Sequence, residues 1–150
     1  MTVPARYAHT NLVARDWRKL ARFYQDVFGC ALVPPERDLS GAWLERGTGV
    51  AGAHIRGVHL RLPGHGESGP TLEIFSYDEV APQTRPVANR AGFGHVAFEV
   101  DDVARAVAEV VAHGGAGGEI VSDGVPGAGR VEFAYARDPE ENLIELQRWR

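Results

Sequence analysis

Polar and apolar positions first alternate along this chain, then recur every three to four residues, then alternate again, and the cycle runs twice. Tyr7 to Val13 alternates as a strand does. Asp16 follows as a candidate N-cap, because its carboxylate can accept the unpaired N–H groups of a first helical turn. Trp17, Leu20, Ala21, Tyr24, Val27 and Phe28 recur at helical spacing, and Gly29 suits the left-handed end of that helix. In the second half Gly94 to Val100 is strand-like, Val103, Ala106, Val107, Val110 and Val111 mark one helix face, and Gly114 and Gly115 close it. Three shorter strands are predicted after each helix. They fall near 42–46, 57–62 and 71–77 in the first half and near 119–122, 129–137 and 143–149 in the second, with Asp138 to Asn142 as a turn. The stretch 34–56, which includes the first of these, is the least regular and reads as a long loop.

The cycle is an internal repeat. With His9 aligned on His95, HTNLVARDWRKLARFYQDVFG faces HVAFEVDDVARAVAEVVAHGG. Asp16 and Asp102 each fall seven residues after their His, and Gly29 and Gly115 each fall twenty after. Later, Leu72-Glu73-Ile74 and Ile144-Glu145-Leu146 are both apolar–Glu–apolar triplets. Two modules follow, about 6–78 and about 93–149, joined by a Pro-containing linker at about 79–92 within a single domain spanning 1–150. The predicted class is α+β, a strand–helix–three-strand unit used twice.

Alternation assigns the faces. His95, Ala97 and Glu99 share one side of their strand, and Val96, Phe98 and Val100 the other, which can pack on the helix. His9 and Asn11 likewise oppose Ala8, Thr10 and Leu12, while Glu73 and Glu145 each point away from flanking aliphatic residues. Each module thus puts one His and one Glu on the sheet face turned away from its helix. A single such residue is ordinarily a solvated or satisfied side chain. Recurrence of both at equivalent positions makes His9, Glu73, His95 and Glu145 a candidate set, which converges if the two sheets curve toward each other.

Composition narrows the chemistry. Hydrophobic residues at 44% fill a core, and one cysteine, Cys30, excludes an intramolecular disulfide framework and a Cys-based zinc site. The net charge of −4 gives no electrostatic case for nucleic acid. No apolar run reaches the roughly 20 residues of a membrane span, and residues 1–7 do not read as a signal sequence, so a soluble, cytoplasmic protein is expected. Lys19 is the only lysine and lies on a helix surface, which disfavours Schiff-base chemistry.

The segments HTNLVARDWRKLARFYQDVFG, TLEIF, GHVAFEVDD and DPEENLIEL together resemble the vicinal oxygen chelate superfamily (glyoxalase I, methylmalonyl-CoA epimerase, extradiol dioxygenases and bleomycin-type resistance proteins) over about 6–149. The resemblance implies paired βαβββ modules forming a U-shaped cleft around one divalent metal ion. In the isomerase and epimerase branches the ligands correspond to His9, Glu73, His95 and Glu145. Two neutral imidazoles and two carboxylates suit Ni, Co, Zn, Fe or Mn. Such an ion polarises a carbonyl and stabilises an enediolate, while Glu145 and Glu73 are the implied catalytic carboxylates that move the α-proton. The expected function is a metal-dependent isomerase, epimerase or lyase acting on a small carbonyl or thioester substrate.

Departures from the family pattern shape the substrate expectation. Val13 stands where glutathione-using glyoxalases commonly carry Arg, and Tyr77 where they carry Asn, which argues against glutathione. Methylmalonyl-CoA epimerases commonly carry Gln in place of Glu73. Two rival readings remain: an Fe(II) extradiol-type dioxygenase using His9, His95 and Glu145, and a metal-free resistance protein binding aromatic antibiotics. Trp43, Phe75, Tyr77 and Phe93, with Trp149, are the candidate aromatic walls for a small-molecule ligand. His54 and His59 are expected on the surface or in a loop, His65 in a turn, His113 at a helix end, Cys30 packed, and Arg130 and Arg137 on the surface. The resemblance implies a homodimer, with modules paired within or between chains.

Overall fold

Segment by segment, the computed structural model, which describes all 150 residues, follows the predicted cycle. The first unit, Met1–Ala81, contains β1 (His9–Val13), α1 (Trp17–Phe28), β2 (Ala31–Ser40), α2 (Ala42–Thr48), β3 (His54–Arg61) and β4 (Thr71–Tyr77). The second, Pro82–Arg150, contains β5 (Val96–Glu99), α3 (Val103–Ala112), β6 (Ile120–Val125), β7 (Gly129–Arg137) and β8 (Leu143–Trp149). The sheet orders are β1-β4-β3-β2 and β5-β8-β7-β6, the same path taken twice. In each, the strand before the helix lies parallel to the last strand, and the remaining pairs are antiparallel. The class is α+β, as expected. No helix is long and apolar enough to cross a membrane.

The two main helices begin and end for local reasons. Asp16 Oδ1 accepts from the Lys19 amide at 3.0 Å, and Asp102 Oδ1 accepts from the Arg105 amide at 2.9 Å, satisfying one open donor in each first turn. Gly29 closes α1 in the left-handed region at φ 67°, where a Cβ would be strained. At the end of α3, His113 is the cap and Gly114 takes the positive φ.

Residues 31–56 depart from expectation. The predicted strand near 42–46 is the helix α2, and the predicted loop at 34–56 is ordered as the end of β2, α2 and the start of β3. Pro34 and Pro35 argue against a strand because neither can donate to a ladder. β2 tolerates them because it is an edge strand whose pairing with β3 skips from Val33 to Arg37.

The core of each unit lies between its helix and its sheet. In the first, Leu20 and Tyr24 of α1 and Val58, Leu60, Leu72 and Ile74 of β3 and β4 are buried. In the second, Val103 and Val110 of α3 are buried with Ala134, Ala136, Ile144 and Leu146 of β7 and β8. Removing each such Leu or Ile from water contributes about 1.5–3 kcal/mol. The residues between them on each strand therefore face the other side, and those include the polar candidates.

Candidate functional site

Strand register places the first cluster. β3 and β4 pair so that His59 stands directly across from Glu73, and β1 pairs with β4 so that Asn11 also stands beside Glu73. Side chains at paired positions share a sheet face. Glu73 Oε2 lies 2.9 Å from His59 Nε2, and its Oε1 lies 3.7 Å from His9 Nε2. Asn11 Nδ2 donates to the same Oε1 at 2.9 Å. His59 Nδ1 meets Thr71 Oγ1 at 3.0 Å, which orients the ring so that Nε2 faces the carboxylate. The His59 ring is held edge-on between His9 (centroids 5.6 Å) and Phe75 (5.8 Å).

Donor atoms of His9, His59 and Glu73 all lie within 4.8 Å of one another, a spacing that can hold a metal ion. The donor chemistry fits: two imidazoles and a carboxylate are ligands for first-row divalent ions. Burial makes charging His59 harder and lowers its pKa, against the opposing pull of Glu73, so the ring is held toward the neutral form that a ligand requires.

The second unit repeats the geometry with other residues. His95, one residue before β5, has Nε2 2.9 Å from Glu145 Oε2 on β8. Tyr135 stands across from Glu145, the position His59 holds across from Glu73, and its ring packs against His95 with centroids 5.1 Å apart. Beside Glu145 on β5 is Ala97 in place of Asn11. The four residues singled out by sequence therefore form two His–Glu contacts, one in each unit.

His59 corrects the sequence reading, which put it on the surface or in a loop. It is a half-buried residue of β3. The signal was present: Val58-His59-Leu60 is an apolar–polar–apolar triplet like those around Glu73 and Glu145. The repeat does not expose it, because the second module has Tyr135 at that position. His54 is also on β3, with Nε2 2.6 Å from Asp38 Oδ1 and Nδ1 3.1 Å from Asp78 Oδ2. Hydrogen bonding to Asp38 is the main cause that raises its pKa.

Of the candidate aromatic residues, Trp43, Phe75 and Tyr77 belong to the first unit and Phe93 and Trp149 to the second. Phe75 is buried with Leu44, Ala53 and Ile55, with Leu39 and Tyr77 against them, so it serves a small core beneath α2. Trp43 is exposed, its indole donating to the Ser40 carbonyl at 3.0 Å. Phe93 is exposed ahead of β5, and the Trp149 indole at the end of β8 donates to Gln147 Oε1. Cys30 is buried, and desolvation pushes its thiol up to about 11, so it is packed and protonated. His65 lies in a turn, and His113 Nδ1 meets the Glu109 carbonyl at the end of α3. Arg130 and Arg150 pair through their backbones, whereas the Arg137 side chain donates to the carbonyls of Glu141 and Pro86.

Comparison with known structures finds this fold repeatedly. A glyoxalase family protein from Bacillus cereus is 20% identical over 99% of this chain and 96% of its own, with a TM-score of 0.78. A glyoxalase/bleomycin resistance protein/dioxygenase domain from Frankia sp. EAN1pec is 17% identical over 99% of this chain and 100% of its own, with a TM-score of 0.61. The fosfomycin resistance protein FosX from Listeria monocytogenes, solved as a mutant with Mn(II) and 1S,2S-dihydroxypropylphosphonic acid, is 17% identical over 96% of this chain and 92% of its own, with a TM-score of 0.57. These likenesses show the fold. No curated protein matches the chain. The family model described as Glyoxalase/Bleomycin resistance protein/Dioxygenase superfamily matches residues 6–146, and the chain belongs to that superfamily.

Proposed function

We propose that the chain is a divalent-metal-dependent isomerase, epimerase or lyase that moves a proton on a small carbonyl or thioester substrate. The observation that carries this reading is the recurrence, in each unit, of an imidazole in contact with a carboxylate at the same sheet position: His9 with Glu73 and His95 with Glu145. Superfamily members commonly hold a divalent ion, and the Listeria protein was solved with Mn(II). His9, Glu73, His95 and Glu145 are the ligands the family pattern assigns. When bound, the ion supplies a Lewis acid for the substrate oxygen.

The protein's own contribution is the proton transfer. Glu73 is tied by Asn11 and His59, which keeps its carboxylate fixed. Glu145 is met within its unit by His95 alone, so it turns with less cost and is the better candidate for the base that takes the α-proton. Glu73 is then the carboxylate that steadies the site, while Glu145 holds the proton it has taken and returns it to the product. Substrate is a small molecule. The departures at Val13 and Tyr77 favour a carbonyl or thioester compound other than a glutathione adduct. The reading places the protein in the cytoplasm as a homodimer.

The test has two parts. Protein incubated with Ni(II), Co(II), Zn(II) or Mn(II) and then dialysed is expected to retain near-stoichiometric metal. The loaded protein is then expected to exchange the α-proton of 2-substituted acyl thioesters or α-hydroxycarbonyl compounds in D2O, followed by NMR, and Glu145→Gln to lose that exchange. Absence of retained metal with all four ions, or metal-loaded protein with no exchange on either substrate class, overturns the reading.

A further inference from the structure

The family pattern draws one His and one Glu from each module and leaves His59 without a place. We propose that His59 is a direct ligand of the divalent ion held by His9 and Glu73, so that the first module contributes two imidazoles and a carboxylate. This rests on the metal-dependent reading above and extends its ligand set.

Four observations support it. First, His59 Nε2 lies 2.9 Å from Glu73 Oε2. Two donors each about 2.1 Å from one ion and at right angles to each other are about 2.9–3.0 Å apart. The contact therefore has the separation of neighbouring ligands. Second, the other ring nitrogen is engaged by Thr71 Oγ1 at 3.0 Å, and Asn11 Nδ2 is 2.9 Å from the other Glu73 oxygen. Outer partners of this kind hold the direction of metal ligands, and the Thr71 hydroxyl can accept from Nδ1–H when Nε2 binds an ion. Third, the ring is clamped edge-on by His9 and Phe75, so its donor is aimed before any ion arrives. Fourth, the second module lacks the whole arrangement. Tyr135, Leu143 and Ala97 stand where His59, Thr71 and Asn11 stand in the first. A donor and both of its orienting partners are present together in one module and absent together from the other, which is how a ligand site differs from a lone buried histidine.

Without a metal role, His59 would only hold Glu73 in position by a hydrogen bond. Co(II) separates the two, because the ring protons of each imidazole bound to Co(II) are shifted far outside the ordinary NMR range. The background His95→Ala removes the second module's imidazole whether or not it binds the ion. In His95→Ala loaded with Co(II), two shifted imidazoles are expected, from His9 and His59. A single one overturns the proposal. In His59→Gln with His95 intact, one shifted set is expected to vanish and Co(II) to bind more than about tenfold more weakly, since loss of even an outer partner costs about 10–100-fold. An unchanged count and affinity overturn the His59 assignment and leave the metal enzyme standing. Wild-type protein that takes up no ion overturns both. Full retention of the ion by a His95→Ala/Glu145→Ala variant supports His59 while removing the second module from the ligand set. Should His59→Gln fail to fold, the count in His95→Ala decides by itself.

Discussion

The two modules share one path of strands and one capped helix, yet they differ at almost every position around their glutamates. Glu73 is surrounded by His9, His59 and Asn11. Glu145 meets His95, with the phenol ring of Tyr135 packed on that histidine and Ala97 alongside. Duplication has thus kept what the backbone needs and let the chemistry diverge. The first module holds its carboxylate rigidly, and the second leaves its carboxylate with a single partner. An enzyme that needs one fixed ligand and one carboxylate able to move has a use for that asymmetry.

The largest expected effect tests the asymmetry at the glutamates. Glu73→Ala is expected to abolish retention of a divalent ion, because it removes a donor and leaves His59 and Asn11 facing nothing. Glu145→Ala is expected to weaken retention less while eliminating proton exchange. Equilibrium dialysis with Zn(II) on both variants checks the order. Equal losses would mean that the two carboxylates are interchangeable and that the second module's sparse surroundings carry no consequence.

A difference in the cores predicts the next effect. Opposite Leu72 and Ile74, β3 supplies Leu60 and Val58, whereas opposite Ile144 and Leu146, β7 supplies only Ala136 and Ala134. α1 adds Trp17, Phe23 and Tyr24 to the first core, while α3 buries only Val103 and Val110. Less apolar area is removed from water in the second unit, so its amides are expected to exchange with solvent earlier in native-state hydrogen exchange. Leu60→Ala is expected to cost about 2–5 kcal/mol, read from denaturant unfolding, and to bring the first unit's protection down toward that of the second. Protection already equal in the wild type would break the comparison.

A glycine separates the modules on the site face. Gly57 lies across from Phe75, and a Cβ there would collide with the Ile74 carbonyl oxygen and come within 2.6 Å of Phe75 Cδ1. The corresponding residue on β7 is Phe133, facing Gln147. The first module therefore puts its aromatic ring over a bare backbone, where the ring edge also meets His59. Gly57→Ala is expected to cost about 1–3 kcal/mol as an overpacking change and to displace the Phe75 ring, visible as shifted His59 ring resonances. A stable variant with unmoved His59 signals would show that Phe75 does not seat that ring.

How much of this was readable beforehand follows from where the periodicity is clean. β4, β7 and β8 match the predicted 71–77, 129–137 and 143–149, because their alternation is unbroken and bounded by turns. The start of α1 follows from Asp16 before an apolar period, and Asp102 holds the same repeat position before α3. The failures cluster at 31–56, where two prolines conceal an edge strand and a seven-residue helix, α2, sits between Gly41 and Gly49. His59 lies outside that stretch, within the predicted strand near 57–62, and escapes notice for another reason. Repeat alignment finds only what both modules share, and His59 aligns with Tyr135. Repetition therefore exposes Glu73 and Glu145 and passes over the residue that distinguishes the modules.

The smallest expected effect falls where the modules should not differ at all. Asp16 and Asp102 occupy the same repeat position, and each accepts the backbone N–H three residues on, at 3.0 and 2.9 Å. Replacing either by Ala leaves one first-turn amide without its acceptor and is expected to cost about 1 kcal/mol. If the two cores are of unequal strength, that equal loss reaches different ends. In the thinner second unit it is a larger share of the local stability, so Asp102→Ala should speed amide exchange throughout α3 and β8. Asp16→Ala should loosen only the first turn of α1, which Leu20 and Tyr24 anchor further along. Hydrogen exchange on the two variants reads this directly. A spread of exchange across α1 as wide as that across α3 would show that the first module owes its order to its caps as much as to its core.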